Sequence, residues 1–395
     1  MKKTLVALAA ASAVSAFAQT TVTLSGNMDV AGVAYGGTSY GAKGTTFTTG
    51  VGTSSTSVIN LIATEDLGGG LSVTAKYGID PRTLTNDSYA VTNNPRTDST
   101  TSASGTINPQ ATIPTGLARD EAFIGISGGF GTIKLGAPNA PSLDTHSASS
   151  PMGTGIASGY SLKGDATTMW LAVSNTRYSR SVRYDSPSIN GITASVQYAP
   201  GGDESAVVGS TSIVARNVPN ARTATELGLK YSNGPLNLNF TNLSQTAQTN
   251  PTGWLAVAAS TGGQTTTFGY AATKTNTLGA NYNLGSTTLY YGWANGDSLA
   301  STQTQTKASG NRLGVKQSFG SMDLLVQYTA VKSTAAGVAT GTTSKVSGLR
   351  LDNNLSKTAK VYLGYEYADN GSAASSTSTS NGTRTTTSIG LQKSF

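Results

Sequence analysis

The sequence predicts an all-β fold, a closed sixteen-stranded antiparallel transmembrane β-barrel, on three observations. Charged residues make up 11% of the 395 residues, against roughly 25% in typical soluble domains. Hydrophobic residues nevertheless stop at 37% and the mean hydropathy is −0.16, so the long apolar runs of a helical membrane protein are missing. In their place, short segments of alternating apolar and polar residues recur along the chain, joined in turn by a tight connection and then a long polar one.

The N-terminus reads as an export signal. Met1-Lys2-Lys3 is a positive start, residues 5–17 form an apolar stretch of 13, and Ala16-Phe17-Ala18 offers the small-x-small cleavage pattern. That stretch is shorter than the ~20 residues a spanning helix needs. The expected cleavage follows Ala18, leaving 19–395 as a single barrel domain and lowering the side-chain charge from +7 to +5 with the loss of Lys2 and Lys3. The absence of Cys excludes disulfide frameworks and Cys-based zinc sites and suits folding beyond the reducing cytosol. A single His excludes a multi-histidine metal site.

The strands follow in order. Residues 21–34 form the first. Residues 57–66 and 71–79 flank Leu67-Gly68-Gly69-Gly70, and in the second arm Val73, Ala75, Tyr77 and Ile79 alternate with Ser72, Thr74, Lys76 and Gly78. Period 2 sends these two sets to opposite faces. Residues 120–127 and 131–136 flank Gly128-Gly129-Phe130. Residues 177–185 and 192–199 are joined across Asn190-Gly191, and 223–231 and 236–243 across Asn233-Gly234; Asn and Gly reach the positive φ of tight hairpins at little cost. The pairs 273–284 with 287–294, 309–319 with 322–332, and 344–352 with 358–368 follow, and 384–395 closes a count of sixteen.

Eight long loops, at 35–56, 80–118, 138–176, 200–222, 245–272, 297–308, 333–343 and 369–383, alternate with seven short turns and put both termini on the short-turn side. A sheet of this size left open exposes edges, and closure removes them. Lipid demands the same, because every backbone N–H and C=O in the hydrocarbon has to be paired internally. The apolar sets then face lipid: Leu227, Leu229 and Tyr231 outward with Glu226, Gly228 and Lys230 inward, and Val361, Leu363, Tyr365 and Tyr367 outward with Lys360, Tyr362 and Glu366 inward. Tyr198, Phe240, Tyr282, Trp293, Tyr328 and Phe395 suit interfacial girdles. A soluble β-sandwich also alternates, but it does not account for the regular short-turn and long-loop asymmetry.

Several segments resemble the general porins of Gram-negative β-proteobacteria: Glu65-Asp66-Leu67-Gly68-Gly69-Gly70-Leu71, Phe123-Ile124-Gly125-Ile126-Ser127 with Phe130-Gly131-Thr132, Val182-Arg183-Tyr184-Asp185-Ser186-Pro187, the stretch from Asn190-Gly191 to Tyr198-Ala199-Pro200, and the terminal Phe395. The resemblance runs in register through the mature chain. It implies a homotrimeric outer-membrane porin whose third long loop folds into the lumen as a constriction. It also implies that Phe395 belongs to the signal read by the outer-membrane assembly machinery. No cofactor is implied, and the partners are outer-membrane lipid, small ions and hydrophilic solutes.

A barrel of this size leaves an aqueous lumen, whose selectivity rests on radius and on the charges at its narrowest ring. In the candidate constriction loop the acids Asp144 and Asp165 are balanced by Lys163 and His146. Parity turns Lys76, Arg119, Lys134 and Arg183 toward the lumen, with Arg82 near the mouth, and Lys230, Arg312, Lys316, Arg350 and Lys360 beyond them; Glu121, Asp185, Glu226 and Glu366 are the inward acids. This count predicts weak to moderate anion selectivity. Pairing of neighbours, Arg183 with Asp185 and Arg119 with Glu121, is the competing reading. The chain departs from its relatives at Val58, Asp120 and Ala137, where Arg is usual, and at Ile62, where Lys is usual, so the usual constriction residues do not transfer.

Other chemistry is poorly supported. Asp144, His146 and Ser149 are close in sequence, but a triad is a matter of mutual geometry. Gly68-Gly69-Gly70 lacks the Gly-Lys-Ser/Thr of a phosphate loop. The basic residues are dispersed rather than clustered as nucleic acid requires, and carboxylates such as Asp29 and Asp352 have no neighbours in sequence that single out a metal site. The competing function is a surface barrel whose Thr-, Asn- and Ser-rich loops serve adhesion. The small hydrated inward set, Ser72, Thr74, Lys76, Asn237, Asn239 and Gly279, favours an open channel.

Overall fold

The structure is a computed structural model that describes residues 20–37, 44–48, 53–79, 118–159, 177–178, 180–200, 205–208, 211–214, 223–245, 273–298, 306–335, 341–369 and 382–395. Ala16 and Ala18 of the cleavage site, Arg82 and Asp165 lie outside the described residues, and of Arg119 only the backbone is described.

Nineteen strands are present among the described residues: β1 (Thr20–Gly37), β2 (Gly44–Thr48), β3 (Val58–Gly68), β4 (Leu71–Ile79), β5 (Ala118–Gly128), β6 (Gly131–Ala137), β7 (Ser181–Asp185), β8 (Ile192–Ala199), β9 (Ser205–Val208), β10 (Thr211–Val214), β11 (Ala224–Asn233), β12 (Leu236–Gln245), β13 (Thr273–Asn283), β14 (Thr287–Ser298), β15 (Thr306–Phe319), β16 (Met322–Ala335), β17 (Thr342–Asn354), β18 (Ala359–Asp369) and β19 (Thr383–Ser394). One helix, α1 (Pro141–Ser149), follows β6. The wall consists of β1, β3–β8 and β11–β19, sixteen strands each antiparallel to its neighbours. It closes because β1 pairs with β3 over Thr20–Asn27 and with β19 over Asn27–Gly37. The pairing of β8 with β11 carries the wall past the small β9–β10 hairpin.

The predicted strands agree with the wall to within a few residues, because period-2 patterning and turn chemistry are local properties. Asn190 and Gly191 both take positive φ, 51° and 83°, as a two-residue hairpin turn requires. Parity also holds. Leu227 and Leu229 are half-exposed on the outside while Glu226 is fully buried, and Leu363 and Tyr365 point out while Tyr362 and Glu366 are buried within.

Four features depart from expectation. The strand expected at 177–185 starts at Ser181, and Arg177 instead makes an isolated bridge to Asn139. The loop at 35–56 contains β2, which pairs with the upper half of β1. The loop at 200–222 contains β9 and β10, and the loop at 138–176 contains α1. The Arg177 bridge, β2 and α1 depend on what the chain packs against, whereas β9 and β10, among the described residues, pair only with each other.

Candidate functional site

The barrel wall supplies a seat for residues 138–159. Six glycines, Gly228, Gly279, Gly292, Gly314, Gly348 and Gly364, occupy inward positions on β11, β13, β14, β15, β17 and β18, and loop atoms fill the space where each side chain would stand. A Cβ on Gly228 would lie 2.9 Å from Pro141 Cβ, on Gly292 2.8 Å from Ser149 Cβ, on Gly314 2.6 Å from Pro151 Cδ and on Gly364 2.7 Å from Ile156 Cγ2. On Gly279 and Gly348 it would overlap the carbonyl oxygens of Thr145 and Ala157. Residues 141–157 of the third long loop therefore run along the inner face in a track made by missing side chains.

Polar groups pin the loop in that track. The helix N-cap residue is Ala140, whose side chain cannot accept a hydrogen bond. The wall replaces it: Glu226 accepts from Ser142 N and Ser142 Oγ, both at 3.0 Å, and from the Tyr178 hydroxyl at 2.7 Å. A carboxylate at a helix N-terminus satisfies orphan N–H groups and meets the positive end of the dipole. At the other end Arg312, fully buried on β15, donates to Ser149 Oγ and His146 Nδ1, both at 3.1 Å, to Thr329 Oγ1 at 3.2 Å and to the Ser158 carbonyl at 3.4 Å. His146 Nδ1 is then the acceptor, so Nε2 carries the proton and donates to the Gly153 carbonyl at 2.8 Å. An acid at one end of α1 and a guanidinium at the other, both from the wall, match its dipole.

Further anchors follow the same path. Asn239 and Asn281 donate to the carbonyls of Asp144 and Ala148, Gln327 donates to that of Ser158, and Gly159 N donates to Glu366. Ile156 N meets the Thr53 carbonyl at 2.7 Å, in the gap between β2 and β3, and Arg350 reaches the Ser54 carbonyl. Arg312 and Arg350, which parity turns inward, are thus covered by the loop.

The wall opposite carries ion pairs. Lys76 lies 2.8 Å from Glu121, whose other oxygen accepts from Asn139 N at the loop's root. Lys134 lies 3.2 Å from Asp185, which also accepts from Arg183 at 2.8 Å and Ser195 at 2.7 Å. Arg183 is buried; it binds the Asn139 carbonyl at 2.6 Å and reaches across to Asp144 of α1 at 3.0 Å. Asp120 pairs with Arg177 at 2.7 Å. The structure thus joins Lys134, Asp185, Arg183 and Asp144 in one network, with Lys76 and Glu121 as a second cation–acid pair. Among the described residues, four cations and four acids cancel formally at this level. They are not equally exposed: Lys76 and Lys134 keep 23% and 22% of their side-chain surface against 11% and 17% for Glu121 and Asp185, whereas on α1 Asp144 keeps 49% against 9% for its partner Arg183.

Sequence neighbours foretold the Arg183–Asp185 pair; Glu121 meets Lys76 from the adjacent strand, and the expected Arg119–Glu121 pair involves a side chain outside the described residues. Asp29 and Asp352 also have partners. Asp29 accepts from Tyr362 Oη at 2.6 Å and Ser55 N at 2.9 Å, while Asp352 holds both Arg350 and Lys360 at 2.8 Å. Asp144, His146 and Ser149 form no relay, since Ser149 Oγ donates to the His146 carbonyl and the imidazole faces Arg312. Phe395 pairs with the Gly26 backbone, its N donating at 3.0 Å and its carbonyl accepting at 2.9 Å, and its half-exposed ring covers Gly26. The glycine track was the feature missed; glycine at an inward position on six wall strands is its sequence signal.

Comparisons with known proteins agree with this geometry. A family model described as Gram-negative porin matches residues 4–373. Major outer membrane protein P.IB of Neisseria gonorrhoeae is 37% identical over 107 residues, 27% of this chain and 29% of that protein. The match thus spans less than a third of that relative's length. The solved anion-selective porin from Comamonas acidovorans superposes with a TM-score of 0.66 at 20% identity, covering 95% of this chain and 100% of that one. OmpT of Vibrio cholerae in its trimer form gives 0.62 at 13% identity, covering 95% and 99%. At these identities both show the fold. With its closed sixteen-stranded barrel and a family match from residue 4 to 373, the chain belongs to the Gram-negative porins of the outer membrane.

Proposed function

We propose that the protein is a passive diffusion channel for ions and small hydrophilic solutes, assembled as a homotrimer and weakly to moderately anion-selective. The observation that carries this reading is the loop segment 138–159 pinned to one side of the lumen, with a wall of polar side chains and charged pairs beside it. Such an arrangement narrows a water-filled passage and requires no covalent chemistry, so we assign no enzymatic role. Trimerisation is supported by the OmpT structure described as a trimer. Anion preference is supported by the greater exposure of Lys76 and Lys134 than of their acids. Toward the short-turn end it is supported by Lys360, which keeps 20% of its side-chain surface beside the buried Asp352, and by Lys230, exposed on β11.

The test is reconstitution in a planar lipid bilayer and measurement of the reversal potential across a salt gradient. Discrete open steps are expected, with an anion-to-cation permeability ratio of about 2–5 in dilute salt. The ratio should fall toward 1 near 1 M salt, where the Debye length shrinks to ~3 Å. Cation preference overturns the charge assignment alone. Inserted protein without conductance overturns the channel and favours the adhesion barrel. We also propose that the mature chain starts at Gln19. Intact-mass measurement of protein extracted from outer membranes checks this, and a mass retaining residues 1–18 rejects it.

A further inference from the structure

Beside the middle of β1 the wall is interrupted. Asn27 of β1 pairs with Val58 of β3, and Ala31 pairs with Thr48 of β2. Residues 49–57 therefore connect positions that on β1 are separated only by residues 28–30. Of that excess chain, residues 53–57 lie on the inner face. The wall side chains they meet are Asn27 and Asp29 of β1, Arg350 of β17 and Gln392 of β19. All four alternate with outward, exposed residues such as Leu24, Leu351 and Leu391. Thr53, Ser54 and Ser57 are buried there.

A segment that leaves a sheet loses its ladder partners, and burial then demands others. Asp29 supplies the central one, accepting from Ser55 N at 2.9 Å while its second oxygen accepts from Tyr362 Oη at 2.6 Å. Ser57 Oγ accepts from Asp29 N at 2.9 Å and donates to the Asp29 carbonyl at 3.0 Å. The Thr56 carbonyl accepts from Asn27 at 3.1 Å, that of Ser55 from Thr53 Oγ1 at 2.8 Å, and that of Ser54 from Arg350 at 3.4 Å. The Thr53 carbonyl is taken by the third loop, whose Ile156 N donates to it at 2.7 Å.

We propose that residues 53–57 are a second element of the constriction, a clamp from the first long loop that holds the far end of the third, with Asp29 as its positioning residue. The near end of the third loop is fixed around α1 by Glu226 and Arg312. Beyond α1 the clamp acts together with Gln327 at Ser158 and Glu366 at Gly159. Gly155 admits it, because a Cβ there would overlap the Ser54 carbonyl oxygen and stand 3.0 Å from Arg350 Nη1. Ile156, fully buried, clusters with Ala31, Val33 and Tyr362. The same Tyr362 carries the hydroxyl that reaches Asp29, and Gly390 on β19 leaves the space its phenol occupies. One carboxylate thus orders both loops, the first through Ser55 and the third through the tyrosine against which Ile156 packs. The inference rests on the reading of the barrel as a channel, whose narrowest ring then includes two loops.

The test is hydrogen–deuterium exchange of the detergent-purified protein, read by mass spectrometry on the peptide spanning 150–159, which needs no conduction. Asp29→Ala should speed exchange there about tenfold, the scale of losing a hydrogen bond to a charged acceptor. Asp29→Asn, which keeps one acceptor oxygen, should retain part of the protection. Gly155→Ala, which alters no wall residue, should speed exchange likewise, and Gly44→Ala, whose Cβ meets nothing within 4 Å, should not. Combining Asp29→Ala with Gly155→Ala should add little to the larger single effect, because both open one contact. In planar bilayers each of these two single variants should split the open level into substates. Unchanged exchange at 150–159 in both overturns the clamp, as do fully additive effects. If Asp29→Ala does not fold, Gly155→Ala decides by the same readout. Faster exchange with a single steady open level overturns the clamp's place in the constriction. Absence of conductance in the unaltered protein overturns the channel reading, and the constriction role with it, whatever exchange shows.

Discussion

Gly279→Ala combined with Gly348→Ala is expected to lift the third loop from its track while the barrel still forms. Each new Cβ falls on a main-chain carbonyl of the loop, Thr145 O and Ala157 O, and a backbone group cannot rotate aside as the end of a flexible side chain does. The strand ladders of β13 and β17 do not involve that Cβ, so the conflict is relieved by displacing the loop. Overpacking of this kind typically costs 1–3 kcal/mol per site. The expected readouts are a lower melting temperature and a single-channel conductance changed by about half, with frequent substates, because a loop released from one wall moves into the open part of the lumen. Gly32→Ala is the control. Gly32 faces outward on β1, and its Cβ would meet the Phe47 ring at 3.4 Å, an ordinary contact. Unchanged conductance and stability in the double variant would show that the loop is not seated on these glycines.

Lys76→Glu with Lys134→Glu is expected to invert ion preference. The exchange alters the wall by four charge units, two at each site, at two lysines that stay more exposed than the acids they pair with. It also sets glutamate against Glu121 and Asp185, which previously had compensating cations, so the local potential turns negative rather than neutral. Reversal-potential measurements should show anion preference replaced by cation preference, with the neutral Lys76→Gln/Lys134→Gln pair intermediate. The difference should be largest at low ionic strength, where the Debye length is about 10 Å at 0.1 M. If anion preference survives the double reversal, neither lysine contributes to selectivity. The current would then be governed by other groups such as Lys230.

The lumen charges show where sequence reading stops. Parity turns Arg312 and Arg350 inward, and both are inward, yet both are buried: Arg312 anchors the third loop through Ser149, and Arg350 holds the Ser54 carbonyl of the first long loop. Arg183 is another such case, close to Asp185 in sequence and bonded to it, but buried and committed to Asp144 and Asn139. Whether an inward charge meets water depends on what lies over it, and alternation carries no information about that. Gly279 reads as a small hydrated position and is instead the place where the Thr145 carbonyl lies. Helix α1 was likewise invisible. Pro141–Ser149 has no apolar stripe, and its ends are satisfied from the wall, by Glu226 at Ser142 N and by Asn281 at the Ala148 carbonyl.

By itself, the sequence determined the closed barrel, its sixteen strands, which side of each strand meets lipid, and the alternation of long loops with short turns. These follow from period-2 patterning, from turn residues such as Asn190-Gly191, and from the rule that backbone polar groups in hydrocarbon are paired internally. Only the tertiary structure decided the path of the third loop, the partner of each wall charge and which inward cations face water. Those depend on contacts across the lumen, such as Ser142 with Glu226, 84 residues apart, and Gly159 with Glu366, 207 apart. Contacts at such separations arise from where the closed wall brings its strands, after every local preference has already been met.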